Sequence, residues 1–193
     1  MELTMNKRYT YADYLSWSDI RCELIDGAVK LMAGVNIAHA SVSRMLVAKF
    51  DSFFQKKPEY HIFHAPVDVI LSSVGVLEKE TTVVQPDIFV VSDATKIKDN
   101  VCIGAPDLIV EILSPSNQQR DWVEKYALYA HNNVSEYWIV DPMNKTVTVF
   151  NIMSPGKYGD CVMYENSSKI QSVVLGAEMV TEEIFKYLKK NAG

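Results

Sequence analysis

The sequence predicts an α/β fold: a mixed β-sheet flanked by helices. Three observations carry that reading. Short, mostly apolar runs recur at residues 60–71, 83–92, 108–113 and 136–141, and several are aliphatic enough to be buried on both faces. Amphipathic helical patterns occupy residues 39–54 and 121–132. The resulting order is helix, strand, strand, strand, helix, strand, which covers a sheet on both sides. A chain of 193 residues is long enough for a sizeable core and reads as one domain. Its core spans about residues 11–142, followed by a C-terminal extension over 143–193.

The first element is a short helix over residues 10–17, with Thr10 as cap and Tyr11, Tyr14 and Leu15 as apolar face. Residues 23–32 form a hairpin, because Asp26-Gly27 between two apolar segments suits the positive φ angles of a type I′ turn. In helix 39–54, Val42, Met45, Leu46, Phe50 and Phe53 recur at three- and four-residue spacing, and Pro58 bars its continuation. Strand 60–71 includes the alternation Val67, Val69, Leu71, and polar residues 77–82 read as a hairpin loop.

In helix 121–132, Trp122, Tyr126, Tyr129 and Ala130 mark the buried face, and Asn132-Asn133 tolerates a left-handed stop. Pro142 ends the strand that opens at Glu136. The tail has strand-like segments at 146–151, 161–165 and 172–175. A last helix starts at Thr181, with Glu182 and Glu183 at its positive end and Lys189 and Lys190 at its negative end.

Composition narrows the function classes. With 48% apolar and 22% charged residues the chain reads as an ordinary soluble globular protein. No apolar run approaches the roughly 20 residues of a membrane span, and no apolar segment of a signal peptide follows the first residues. Cys22, Cys102 and Cys161 are far apart and odd in number, which argues for a reducing cytoplasm and against a disulfide frame or zinc knuckle. The net charge of −5 weighs against a broad basic nucleic-acid surface. Such a partner has to be met by a local patch, or by metal ions that offset acidic groups.

Two carboxylates stand out because they occur in aliphatic strands, where an unpaired charge is costly. Asp87 follows Pro86 at the start of one run, and Glu111 lies near the end of another. Side chains alternate along a strand, so Asp107, Ile109, Glu111 and Leu113 share one face. If the two strands are antiparallel neighbours, Asp87 and Glu111 meet within reach of one ion. Hard oxygen ligands suit Mg²⁺, with Mn²⁺ as a substitute. Lys125 falls roughly 60° from Trp122 and 40° from Tyr129 around an α-helix, on the rim of the buried face. From there it can lay its stem on the core and aim its ammonium into a cleft. Two acids, a metal and a lysine suit phosphodiester hydrolysis, with Lys125 orienting water or stabilising charge on phosphorus.

The segments Val84-Gln85-Pro86-Asp87-Ile88-Phe89-Val90-Val91, Gly104 to Ser116 and Val134 to Pro142 resemble the Uma-type family of restriction endonuclease-like proteins, part of the PD-(D/E)XK nuclease superfamily. Glu23-Leu24-Ile25-Asp26-Gly27 and His39 also fit the pattern, and the resemblance covers about residues 11–142. It implies a four-stranded core with two flanking helices and Mg²⁺-dependent cleavage of nucleic acid, DNA before RNA. It carries over Asp87 and Glu111 as the two acids, the carbonyl of Ile112 as a further metal ligand, and Glu23 as an extra acid near the first strand. The superfamily's usual lysine position holds Leu113 here, so the role passes to Lys125 on the following helix. By analogy, cleavage of two strands implies a homodimer.

Each residue also has a bland reading. Asp87 can cap a turn, Glu111 can pair with an arginine, and Lys125 can pair with Asp121 at i, i+4 for a few tenths of a kcal/mol. Glu23 can be an exposed hairpin residue. His39 reads as a polar residue at a helix start, and Asp107 as a strand-start residue. Two rival functions remain beside the nuclease: a degenerate nuclease fold used as a binding or regulatory module, and a hydrolase of small phosphodiesters.

Overall fold

The computed structural model describes residues 7–17, 20–32, 34–71, 75–115 and 117–188; Lys189, Lys190 and Ser116 lie outside them. Helix α1 (Tyr11–Leu15) opens on a capping box, in which Thr10 and Asp13 bond each other's backbone N–H. Strands β1 (Cys22–Ile25) and β2 (Ala28–Leu31) pair as the expected hairpin, with Asp26 at φ 49° and Gly27 at φ 77°. A Cβ at Gly27 would lie 3.0 Å from the carbonyl of Tyr9, so glycine also admits the N-terminal segment. Helix α2 (Ile37–Phe54) starts two residues earlier than expected, because the Asn36 side chain accepts the His39 N–H at 2.9 Å. It buries Val42, Leu46, Phe50 and Phe54, one residue per turn.

The middle of the chain holds β3 (His61–His64), β4 (Asp68–Ile70), β5 (Val83–Val84), β6 (Ile88–Val91), β7 (Ile97–Lys98), β8 (Val101–Ile103) and β9 (Leu108–Ile112). A π-helical turn, Arg120–Lys125, then leads into α3 (Tyr126–His131). The remainder is β10 (Glu136–Asp141), β11 (Thr146–Ser154), β12 (Lys157–Tyr158), β13 (Val162–Tyr164), β14 (Lys169–Ser172), β15 (Ala177–Val180) and α4 (Thr181–Ile184).

The strands divide between two mixed sheets and a small hairpin. One sheet runs β2-β1-β5-β4-β8-β7, the other β12-β11-β10-β9-β6-β3 with β13 also on β11, and β14 pairs β15. Strand β9 is parallel to β10 and antiparallel to β6. The second sheet is buried on both faces. Ile88, Val90, Leu108, Val110, Ile112, Trp138 and Val140 pack with α2 and α4 on one side. Phe89, Val91, Ile109, Tyr137 and Ile139 pack with α3 and the first sheet on the other.

Three expectations need correction. Residues 60–71 and 83–92 are not single strands: each crosses from one sheet to the other, at Ala65-Pro66 and at Gln85-Pro86-Asp87. A proline has no N–H for a ladder, so each break falls where pairing partners change. Residues 172–175 are not a strand: Ser172 ends β14 and 173–176 form the turn of the β14–β15 hairpin, in which the Ser172 hydroxyl accepts the Leu175 N–H at 3.0 Å and Gly176 takes φ 60°. Residues 77–82 do lie in the connection of the antiparallel β4–β5 pair, as expected, with a short 3₁₀ turn at Leu77–Lys79. The third correction, at 120–125, shapes the site and is developed with it.

Candidate active site

Asp87 occupies the sheet-crossing step just before β6. The antiparallel register pairs Ile88 with Val110, which sets Asp87 beside Glu111 at facing ends of β6 and β9. Oδ2 of Asp87 accepts the backbone N–H of Ile112 at 2.7 Å and lies 3.0 Å from Nε2 of His39. His39 therefore serves more than the helix start: from the first turn of α2 it reaches the Asp87 carboxylate. In a strand the N–H and C=O of one residue point to the same side, so the Ile112 carbonyl is on the Asp87 side of β9.

Glu111 and Lys125 meet in the interior. Oε1 of Glu111 accepts Lys125 Nζ at 2.8 Å and the Tyr129 hydroxyl at 2.7 Å. Lys125 Nζ also lies 2.9 Å from Oε1 of Glu23, and that oxygen accepts the Gln85 N–H at 3.0 Å. Arg120 approaches the other oxygen of Glu23 at 3.9 Å and donates to the Leu31 carbonyl at 3.1 Å. Glu23 is a buried member of the cluster, not an exposed hairpin residue. Lys125 is paired with Glu23 and Glu111; no ion pair joins it to Asp121. Asp107 is structural, its carboxylate accepting the Ser92 N–H at 2.5 Å.

The π-turn explains what helical geometry misplaced. An i→i+5 turn is wider than an α-turn, so the 100°-per-residue projection fails across residues 120–125. Trp122, expected on the buried face, is 37% exposed, whereas Asp121 and Lys125 are buried at 1% and 4%. Lys125 is thus inside the protein and not on a rim. Asp121 has no hydrogen-bond partner on either carboxylate oxygen among the described residues. Sequence reasoning weighed Asp121 only as a helical partner for Lys125 and Tyr129 only as core. The one signal for Tyr129 was its four-residue spacing from Lys125.

Burial and charge act together on these groups. Burial pushes Glu111 well above the usual carboxylate range; Lys125 opposes the shift, and Asp121, Asp87 and Glu23 add to it. Burial likewise raises Asp121 to about 7, again against Lys125 and with Asp87 and Glu23. Burial works to lower the Lys125 ammonium, but Glu111, Glu23 and Asp121 overcome it and hold the amine charged above the ordinary lysine range.

The cluster floors a cleft of about 590 Å³. Among Asp87, Glu23 and Glu111, Asp87 is the most open, 13% exposed against 1% and 3% for the two glutamates; Asp51 on α2 is exposed on the cleft wall. Arg21 and Arg44 lie among its walls, with Arg120 beside Glu23, so the cleft carries both signs of charge. Among the described residues, no three carboxylate, imidazole or thiolate groups converge as a ready-made metal cage. Mg²⁺ does not require one, since it usually takes one or two carboxylates and keeps water. The donor chemistry fits: the protein donors to Asp87 fall on Oδ2 and those to Glu111 on Oε1, so Oδ1 and Oε2 carry none among the described residues.

Known proteins resemble this chain in sequence and in fold. Residues 11–181 match the family model Uma2, described as "Putative restriction endonuclease". An uncharacterised protein of Synechocystis is 24% identical over 182 residues, covering 91% of this chain and 90% of the relative. The crystal structure of a putative nuclease belonging to DUF820 from Anabaena variabilis superposes with a TM-score of 0.75 at 18% identity, covering 93% of this chain and 99% of the other. The fold is that of this nuclease. Among the described residues no helix is long and apolar enough to cross a membrane, and Cys22, Cys102 and Cys161 are free.

Proposed function

The chain belongs to the Uma2 family, described as putative restriction endonucleases, and from that premise we propose that it is a Mg²⁺- or Mn²⁺-dependent endonuclease cleaving phosphodiester bonds of nucleic acid, DNA before RNA. The observation that carries the reading is the meeting of Asp87 and Glu111 at facing ends of antiparallel strands, with the Lys125 ammonium held against Glu111 at 2.8 Å.

Asp87, Glu111 and the Ile112 carbonyl would hold the ion, which when bound supplies Lewis acidity toward a phosphate and lowers the pKa of water. The chain's own residues do the rest. His39 and the Ile112 N–H fix the Asp87 carboxylate through Oδ2. Tyr129 and Lys125 fix Glu111 through Oε1. An ammonium has three N–H donors, and Glu23 and Glu111 engage two of them. The third remains for the attacking water or a phosphate oxygen, and the pairing with two glutamates keeps the amine charged for that task. Glu23 acts through Lys125, holding it in position. Arg21 and Arg44 are placed on the cleft walls to meet flanking phosphates.

A second reading is a hydrolase of small phosphodiesters. The cleft volume falls within the usual small-ligand range, and the net charge of −5 favours a compact substrate. A panel of duplex DNA, single-stranded DNA, RNA and small diesters with Mn²⁺ separates the two. Cleavage of polymers that is abolished in Asp87→Ala supports the nuclease; cleavage of small diesters alone supports the second reading. Metal binding identical in wild type and Asp87→Ala would sink the metal assignment. Metal binding without cleavage of any substrate would favour a binding module.

A further inference from the structure

The catalytic cleft has a smaller neighbour. A second cavity of about 420 Å³ adjoins it, and Pro66, which is exposed, lines both. Pro66 is therefore the partition between them. The backbone ties the two together as well. The Ala65 N–H donates to the Asp87 carbonyl at 3.2 Å, beside that partition. Phe89, on the floor of the second cavity, is two residues beyond Asp87, a distance of about 7 Å along a strand. A group bound in the second cavity is thus within a nucleotide's reach of a phosphate bound at Asp87.

The two cavities differ in kind. The cleft is lined by acids and arginines, whereas the second cavity has half-buried Phe63, Val67 and Ile97 on its walls and buried Cys102 on its floor. The Phe63 ring stacks on Phe89 at 5.2 Å, because the two face each other in the β3–β6 register. Of that pair Phe63 is the one left partly open, so it is the aromatic surface that an entering group touches. At the mouth, the turn between β7 and β8 supplies Asp99 and Asn100, both exposed. Among the described residues no arginine or lysine lines this cavity, and Lys98 next to Asp99 leaves the turn without net charge. The occupant is therefore not a phosphate. Apolar walls with an aromatic ring suit the face of a nucleobase, and a carboxylate and an amide suit its edge. The Asn100 amide both donates and accepts, and the Asp99 carboxylate accepts.

We propose that this second cavity receives an unpaired base of the nucleic-acid substrate, with Phe63 against the ring and Asn100 and Asp99 at its edge, while the adjoining phosphodiester lies in the cleft. The proposal rests on the nuclease reading above and deepens it. A base inside a duplex cannot enter without leaving its stack, so single-stranded or locally opened nucleic acid is the preferred substrate class. To test this, the full chain with Mn²⁺ is titrated against a short fluorescent phosphorothioate single strand, either bearing bases or abasic throughout, and binding is followed by anisotropy. Wild type should bind the base-bearing strand at least about tenfold more tightly than the abasic one. Asn100→Ala, in an exposed turn, and Val67→Trp, which fills the cavity, should each cut that preference at least about threefold, with folding checked by circular dichroism. A smaller cut in either folded variant, or no preference in wild type, overturns the base pocket and leaves the nuclease reading standing. No binding of either strand by wild type overturns both.

Discussion

Glu111 and Glu136 are buried carboxylates on adjacent parallel strands, and they face opposite sides of the same sheet. Glu136 is closed off: Oε1 accepts the Trp138 indole N–H at 2.5 Å and Oε2 the Val174 N–H at 2.9 Å. Both donors are neutral, both oxygens are used, and Glu136 does not line the 590 Å³ cleft. On the other face, Glu111 is engaged through one oxygen and Asp121 through neither, and both line the cleft. Burial alone therefore does not mark a functional acid. An incomplete set of donors beside a cavity is what separates the two faces, because a further partner there has to come from outside the chain.

The sharpest way to break the comparison is to remove the cation from the open side. Lys125→Met leaves Glu23 and Glu111 buried without their ammonium, and should cost about 3–5 kcal/mol in urea unfolding. A cost below about 1 kcal/mol would mean that the cluster is not an ion-paired network. On the closed side, Glu136→Ala orphans the Trp138 and Val174 donors and should cost about 2–4 kcal/mol, with Mn²⁺ binding unchanged. Loss of metal binding there would show that the two faces are coupled.

Asp121→Asn should separate the sites by pH. The acid titrates at about 7 in the folded chain against 3.8 for the ordinary group, so between these values the folded state holds a proton that the unfolded state has released. Its contribution is fully present below about 3.8 and is lost as pH rises through 7. Without added metal, the Asn variant should gain on wild type by a few kcal/mol between pH 4 and pH 8. Equal pH dependence in both chains would contradict the uncompensated burial of Asp121. The smallest stability effect is expected for Asp87→Asn, within about 1 kcal/mol, because the amide oxygen still accepts the Ile112 N–H. Its Mn²⁺ affinity should nevertheless fall at least about tenfold, measured by calorimetry; an unchanged affinity would move the ion elsewhere.

The acids at facing strand ends were legible because their placement is local. Alternation sets Glu111 on the face of Ile109 and Leu113, and Pro86 sets Asp87 at a strand start. The hairpin at Asp26-Gly27 and the Thr10 cap were legible for the same reason. Glu23 was open from its residues alone: a carboxylate in a hairpin is buried or exposed according to what covers it, and here β5 pairs β1 on the side opposite β2. The placing of Lys125 on a rim and of Trp122 on the buried face was misread, because a π-turn shifts the helical phase without a sequence mark such as Gly or Pro.

By itself the sequence determined the α/β class, most of the elements, and two acids set in aliphatic strands, since periodicity and turn chemistry act over a few residues. Only the tertiary structure decided that runs 60–71 and 83–92 each serve two sheets, that Lys125 is shared by Glu23 and Glu111, and that Asp121 is buried without a donor. Lys125 lies 14 residues from Glu111 and far further from Glu23. Which long-range partners fill a buried charge's donor positions depends on how sheets and helices pack, and no local pattern encodes that.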